Sequence, residues 1–231
     1  MIDDKRIVVI IPAFNEEESI SNVIKDIPSF VDEIFVSDNG STDKTAEDAK
    51  NSGAVVLHEI EKGYGAACLK AIDYISDKNY DIVVFLDGDY SDHPEEMNLI
   101  VEPIIKNGFD LVIGSRMLGN REKGAMLPQA IIGNWLASFF IKLFWKYKFT
   151  DLGPFRAINY SSLLKLNMKD RNYGWTVEMQ IKAAKRKIRT TEVPVSYRKR
   201  IGQSKVTGTL KGSVKASAKI LYLIFRSLFS Y

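Results

Sequence analysis

Ile82-Val83-Val84-Phe85-Leu86-Asp87-Gly88-Asp89 breaks abruptly from five apolar residues to two carboxylates separated by one residue. A short unbroken apolar run rich in β-branched side chains has the pattern of a strand buried on both faces, as in a parallel sheet. Working outward, residues 7–11, 33–37, 54–57 and 110–114 repeat that pattern, and the strand before Asp87 begins at residue 81. Between them lie helical stretches. Residues 17–27 place Ile20, Val23, Ile24 and Ile27 on one face. Ser41-Thr42-Asp43 offers capping side chains, and helices are expected over 66–75 and over 94–106, with Pro94 in the first turn. Strands alternating with helices predict an α/β fold, a Rossmann-like and mostly parallel central sheet flanked by helices. Ligands in such sheets bind at the carboxyl ends of the strands. The polar clusters 12–16, 38–43, 87–92 and 115–116 fall on that edge.

Past Arg116 the alternation stops. A polar loop over 117–125 leads to an apolar helix over 128–147 and a turn at Asp151-Leu152-Gly153-Pro154. A strand near 155–158, a helix over 176–186, a strand over 189–195, a basic loop over 198–208 and an amphipathic helix over 210–229 follow. The 231 residues are 45% hydrophobic and 26% charged, which suits one globular α/β domain with a short additional segment. A net charge of +3 is too small to indicate a nucleic-acid protein. Its distribution says more, with acids dense before residue 110 and cations crowding 182–226, as an anionic ligand or surface would require. One cysteine, Cys68, excludes an intramolecular disulfide, and no signal-peptide pattern opens the sequence, so a cytoplasmic location is expected.

Two carboxylates at one strand end repel each other unless a cation lies between them. Mg²⁺ or Mn²⁺ takes oxygen ligands and bridges a few carboxylates to substrate phosphates, although Asp-Gly is also a common turn pair. His93, beside Pro94, reads as a helix start rather than a ligand. Neither G-x-G-x-x-G after the first strand nor a phosphate-binding G-x-x-x-x-G-K-[ST] loop is present. A nucleotide can still lie along this edge, with backbone at Pro12 and Ala13 holding the base and Glu16 and Asp38 accepting from ribose hydroxyls. The same two acids can equally cap helices or carry surface charge.

Ile10-Ile11-Pro12-Ala13-Phe14-Asn15-Glu16, Val36-Ser37-Asp38-Asn39-Gly40-Ser41-Thr42-Asp43, Lys62-Gly63-Tyr64-Gly65-Ala66-Ala67, Asp87-Gly88-Asp89 and Gly114-Ser115-Arg116 together resemble the successive motifs of family 2 glycosyltransferases of GT-A fold. Within that family the chain is similar to the polyprenyl-phosphate (dolichyl-phosphate) mannose and glucose synthase branch. The resemblance implies a metal-dependent, inverting enzyme that moves a hexose from a nucleotide-diphosphate sugar to an acceptor. It places Pro12, Ala13, Phe14, Glu16, Asp38, Lys62 and Gly88 at the donor, and Asp87 and Asp89 on Mg²⁺ or Mn²⁺ and the diphosphate. The family commonly has Gln two residues beyond the second Asp. Ser91 stands there, with Asp92 beside it, and either can complete the metal shell. Arg116 is implied to face a donor or acceptor phosphate, Arg200 and Lys205 to close over the phosphates, and Asp151 to act as general base or to orient the acceptor, with Glu178 as second choice. The division expected is a GT-A domain over 1–209, split at 116 into nucleotide-sugar and acceptor halves, followed by the amphipathic helix 210–231.

Residues 125–141 carry no charge, but Pro128, Gln129, Gly133, Asn134 and Ser138 interrupt them, and Lys142 ends the run too early for a membrane span. Trp135, Phe139, Phe140, Phe144 and Trp145, with Lys142, Lys146 and Lys148, have an interfacial composition. Lys211, Lys215 and Lys219 recur at helical spacing, as anionic lipid headgroups would favour. Ordinary packing on the domain or a dimer contact would use the same residues. The expected partners are a nucleotide-diphosphate sugar, a polyprenyl phosphate and the cytoplasmic face of a membrane, with no nucleic acid. A soluble or glycan hydroxyl acceptor, and a non-catalytic nucleotide-sugar-binding or scaffolding protein, are the competing readings.

Overall fold

In a computed structural model, residues 2, 4–202 and 210–229 are described, the last of these without the side chains of 210–214. Lys205 and the side chain of Lys211 therefore lie outside the described residues. The elements run β1 (Ile7–Ala13), α1 (Ile20–Lys25), β2 (Glu33–Asp38), α2 (Thr45–Asn51), β3 (Val55–His58), α3 (Tyr64–Tyr74) and β4 (Ile82–Phe85). A 3-10 turn Pro94–Glu96 leads into α4 (Met97–Asn107). Next come β5 (Leu111–Ser115), α5 (Pro128–Trp145), β6 (Arg156–Asn159), α6 (Tyr160–Leu166), α7 (Trp175–Lys185), β7 (Thr190–Pro194) and α8 (Leu210–Phe229).

The seven strands form one sheet in the order β3-β2-β1-β4-β6-β5-β7. All neighbours are parallel except β6, which runs antiparallel to both β4 and β5. Alternating side chains feed two cores. Val8, Ile10, Val83 and Phe85 pack with α3, α5, α6 and α7, while Ile7, Val9, Ile11, Ile82 and Val84 pack with α1 and α4. Burial on both sides is why these strands are apolar at every position rather than at every second one.

β1 extends two residues beyond the apolar run, because Pro12 pairs in register with Ser37 and Ala13 with Asp38. Ile10 O accepts from Leu86 N, so Ile10 and, two residues on, Pro12 face the β4 side of the strand. β4 ends at Phe85, and a proline there forfeits no ladder bond.

Helix α6 has no counterpart among the expected elements. It is seven residues long, and its start is marked by Asn159, whose side chain accepts from Ser161 N. The C-terminal helix α8 packs on the rest of the chain. Ile224 is fully buried in the core shared with α5 and α7, and the Lys219 ammonium lies 3.0 Å from the buried Asp170 carboxylate. Part of the lysine stripe is thus turned onto the domain, while Lys215 stays exposed. The aromatic set of α5 divides likewise. Phe140 and Phe144 interlock with Phe225 of α8, whereas Trp135 and Phe139 stack together in solvent. Among the described residues no helix is long and apolar enough to cross a membrane.

Candidate active site

The loops after β1, β2, β4 and β5 converge at one edge of the sheet. Behind β1, Ser19 donates to Gly88 O at 2.8 Å and so ties the first loop to the Asp87-Gly88-Asp89 turn. Glu16 N donates to Thr45 Oγ1, and Asn15 N to Ser41 Oγ, which lock the first loop to the second. Asp38, almost fully buried at the end of β2, accepts from Ser41 N and faces His58 Nδ1 at 3.3 Å. Lys62 Nζ donates to the carbonyls of Asn39 and Gly40 and sits 4.3 Å from the centre of the Phe14 ring.

The glycines of Lys62-Gly63-Tyr64-Gly65 answer a close backbone approach. A Cβ on Gly65 would lie 1.9 Å from Asp170 O, and Ala66 N donates to Arg171 O, so the 170–171 segment crosses directly over the start of α3. That crossing fixes Tyr64, whose hydroxyl donates to Asp87 Oδ1 at 2.9 Å. Burial, and then the charge of Asp89, push the Asp87 carboxyl up to about 7; Tyr64, Arg116 and Arg200 pull the other way. Asp89 is held differently. Its Oδ1 accepts from both N and Oγ of Ser91, and its Oδ2 lies 3.0 Å from Arg200 Nη1.

Beside these acids lies Arg116, at the end of β5. Its Nε and Nη2 both donate to the Asp151 carboxylate at 2.8 Å, and its backbone N donates to Asp151 Oδ2 as well. Burial opposes a charge on Asp151, but Arg116 more than offsets it and holds that carboxyl below its ordinary range. The turn carrying Asp151 is pinned from three elements. Glu192 of β7 accepts from the amides of Thr150 and Asp151, Asn134 of α5 accepts from Leu152 N and donates to Thr150 O, and Gln180 of α7 donates to Asp151 O. A second cation, Arg156, is fully buried and donates to the carbonyls of Leu152, Gly153 and Thr176 without an ion pair among the described residues. Burial lowers it to about 10.

A cleft of about 630 Å³ opens on this edge. Tyr64, Asp87, Asp89, Arg116, Lys199 and Arg200 line it, together with apolar Met126, Leu127, Ala130, Ala216 and Ile220 from α5, α8 and the segment before α5. Its other walls include Trp175, whose buried Nε1 has no hydrogen-bond partner among the described residues.

The sequence-predicted residues separate on this geometry. Asp87, Asp89, Arg116 and Arg200 meet in the cleft. Pro12, Ala13, Phe14, Glu16, Asp38, Lys62 and Gly88 stand along the strand-end edge beside it. Ser91 and Asp92 are buried and do not line the cleft. Ser91 orients Asp89, and burial, then the charge of Asp87, push the Asp92 carboxyl well up, with Arg116 pulling the other way. Asp151 lies behind Arg116, and Glu178 is not brought to the site, because its carboxylate accepts from Lys169 N and Asp170 N and pairs with Lys182. His93 stands at the cap position of the 3-10 turn with Nδ1 2.8 Å from Glu95. Sequence reasoning passed over Tyr64, Arg156 and Trp175 as site residues. Tyr64 lies inside a quoted motif, but nothing local marks a phenol or a guanidinium as turned inward.

The model of the family described as Glycosyl transferase family 2 matches residues 8–166. The chain belongs to that family. It is a glycosyltransferase that uses a nucleotide sugar, and the sheet with its flanking helices is the GT-A fold. It is similar to the UDP-N-acetylglucosamine–dolichyl-phosphate N-acetylglucosaminyltransferase of Methanococcus voltae, 31% identical over 83% of this chain and 85% of that one. It is also similar to the undecaprenyl-phosphate mannosyltransferase of Micrococcus luteus, 28% identical over 90% of each. Glucosyl-3-phosphoglycerate synthase of Mycobacterium tuberculosis, solved with Mn²⁺, uridine diphosphate and phosphoglyceric acid, shares the fold, with a TM-score of 0.77 at 23% identity over 97% of this chain and 79% of that one.

A divalent cation fits the residues of this glycosyltransferase on the chemistry of its donor set. Among the described residues no cluster of three or more acidic, histidine or cysteine side chains could hold an ion alone. Two neighbouring carboxylates, Asp87 pushed up by burial and by the charge of Asp89, with a guanidinium already bridging Asp89 to Glu16, suit an ion that takes its other ligands from phosphate oxygens and water.

Proposed function

We propose that this enzyme transfers a hexose, with inversion, from a nucleotide-diphosphate sugar to the phosphate of a polyprenyl phosphate, as a peripheral protein on the cytoplasmic face of a membrane. The observation that carries this reading is the mixed lining of the cleft. Asp87 and Asp89 with three cations share it with apolar side chains of α5, α8 and the 125–127 segment. On the same two helices, Ile132 and Trp135 are 65% and 62% exposed, and Phe139, Tyr222 and Phe225 are exposed too. A charged site that shares its cleft with apolar walls, on helices that carry exposed aromatic side chains, suits an acceptor with an anionic head and a hydrocarbon tail. The relatives named for dolichyl-phosphate and undecaprenyl-phosphate transfer support the same acceptor class.

The acid–base inventory favours phosphate over hydroxyl. Asp87 and Asp89 are the only carboxylates lining the cleft among the described residues, and both are committed to the cation in this reading. Asp151 is saturated by Arg116 and held below its ordinary range, which leaves it a poor base. A hydroxyl acceptor needs a base, whereas a phosphate monoester, with a second pKa near about 6, arrives ionised. The acceptor oxygen forms its bond to the anomeric carbon as the bond to the diphosphate oxygen breaks, and the electron pair leaves with the diphosphate. Mg²⁺ or Mn²⁺ held by Asp87 and Asp89 supplies charge neutralisation to that leaving group. In this reading Lys199 and the Nη1 of Arg116, which Asp151 does not engage, receive the acceptor phosphate. Arg200 serves the departing diphosphate.

The test is a panel of radiolabelled nucleotide sugars offered with Mn²⁺ and a polyprenyl phosphate in detergent. Label should move into the organic phase and should fail to do so with Asp89→Asn. Label that reaches only water-soluble products would remove the lipid acceptor from this reading.

A further inference from the structure

Arg200 occupies the place a cation would take between the ends of β1 and β4. Its Nη2 lies 3.0 Å from Glu16 Oε1 and its Nη1 3.0 Å from Asp89 Oδ2. With Asp89 Oδ1 already accepting from Ser91, both oxygens of that carboxylate are engaged. The segment that delivers Arg200 is stitched to the metal turn itself. Ile201 N donates to Asp89 O and Arg198 N to Ser91 O, both at 2.9 Å. The Arg198 guanidinium lies 3.5 Å from the centre of the Tyr90 ring and donates to Tyr90 O and Asp92 O. Arg200 is nevertheless imperfectly seated, since its Nε is buried without a hydrogen-bond partner among the described residues.

We propose that Arg200 is a latch that competes with the divalent cation for Asp89, so that metal and nucleotide diphosphate bind together rather than independently. This rests on the reading of Asp87 and Asp89 as the metal site. A divalent ion approaching alone must displace a charge-assisted bridge to two carboxylates. An ion that arrives with a diphosphate brings the displaced guanidinium a new anionic partner, and planar guanidinium groups match phosphate oxygens well. The diphosphate therefore lowers the cost of opening the latch. By thermodynamic reciprocity, each ligand must tighten the other by the same factor. The unsatisfied Nε makes the closed position easier to leave than a fully bonded one.

Electron paramagnetic resonance of free Mn²⁺ measures this directly and needs no turnover. Removing Arg200 unmasks Asp89 and strips a cation from contact distance. Arg200→Ala and the longer Arg200→Gln should therefore raise Mn²⁺ affinity without nucleotide by at least about tenfold. In both variants UDP or GDP should no longer tighten Mn²⁺ binding as it does in the unaltered protein. Lys199→Ala removes the same charge from the same cleft without touching a carboxylate, and should change Mn²⁺ affinity by less than about threefold, as expected of a solvent-screened charge. Equal gains for Lys199→Ala and Arg200→Ala would reduce the effect to general electrostatics and overturn the latch. So would Asp89-dependent Mn²⁺ binding that neither Arg200 variant alters. Were no form to bind Mn²⁺ even with UDP or GDP present, the metal reading would fail and the latch with it.

Discussion

Replacing Asp87 by Asn should make the metal-free protein more stable while removing its activity. The reason lies in what surrounds the carboxyl. Burial and the neighbouring Asp89 raise it from 3.8 to about 7, so the folded chain holds that proton more tightly than the unfolded chain. Relative to the unfolded state nothing is lost below pH 3.8. The cost of ionising the group grows as pH rises toward about 7 and is constant above it. Three pH units correspond to about 4 kcal/mol at roughly 1.36 kcal/mol per unit. Because Asp87 lines the cleft and keeps contact with its water, about 2–4 kcal/mol is the range to expect. Asn is isosteric, and its carbonyl can still accept from Tyr64, so no cavity offsets the gain. The assay is urea unfolding in EDTA at about pH 8 and about pH 4.5, on either side of the raised value. Asp87→Asn should unfold at clearly higher denaturant at the alkaline pH, equivalent to a rise in Tm of roughly 5–10 °C for a domain of this size. The advantage should shrink to about 1 kcal/mol or less at the acid pH. An Asn variant that is no more stable in alkali, or equally stabilised at both pH values, would refute the claim that the two acids are strained together.

Asp151→Ala should leave a buried guanidinium unpaired and cost about 3–5 kcal/mol at neutral pH, read by thermal unfolding. Since Arg116 holds Asp151 low, its contribution is complete above the unfolded value near about 3.9 and is lost only as pH falls below that, so the variant should show a flatter acid-unfolding profile than its parent. Glu178→Gln should keep kcat within about twofold while lowering Tm, because its carboxylate caps the 169–170 amides; a loss of about 10²-fold or more would instead indicate a general base. Gly65→Ala should destabilise by several kcal/mol, on the order of a backbone overpacking penalty, since its Cβ would meet Asp170 O. The pair Trp135→Ser and Phe139→Ser should weaken sedimentation with anionic phospholipid vesicles by about tenfold or more without altering the melting temperature. Unchanged sedimentation would remove the α5 face as a membrane contact.

How much of this could be read in advance depended on how local the cause was. Apolar runs such as 82–86 are dictated by two-faced burial, which acts residue by residue, and they placed β4 and its acids correctly. β1 overran its apolar run because a proline is harmless once the strand beside it has ended, and a one-dimensional pattern does not show where a neighbour stops. Helix α6 escaped because seven residues hold too little periodicity, although Asn159 and Ser161 carried its capping signal. The antiparallel entry of β6 escaped because chain direction in a sheet is settled by where the preceding turn returns. A buried strand looks alike in either sense.

Composition and order alone determined that this chain forms an α/β sheet with its acids, its Pro12–Glu16 segment and Arg116 on one edge, since strand burial and loop polarity are properties of short segments. Only the tertiary structure decided which charge faces which. Arg200 meets Glu16 across 184 positions, Asp151 pairs with Arg116, and Lys219 turns from solvent to Asp170. Such pairings follow from α8 packing on α5 and α7 and from the 198–201 segment bonding to the 89–91 turn. Coulomb energy depends on distance in space, and periodicity along the chain carries no record of that distance.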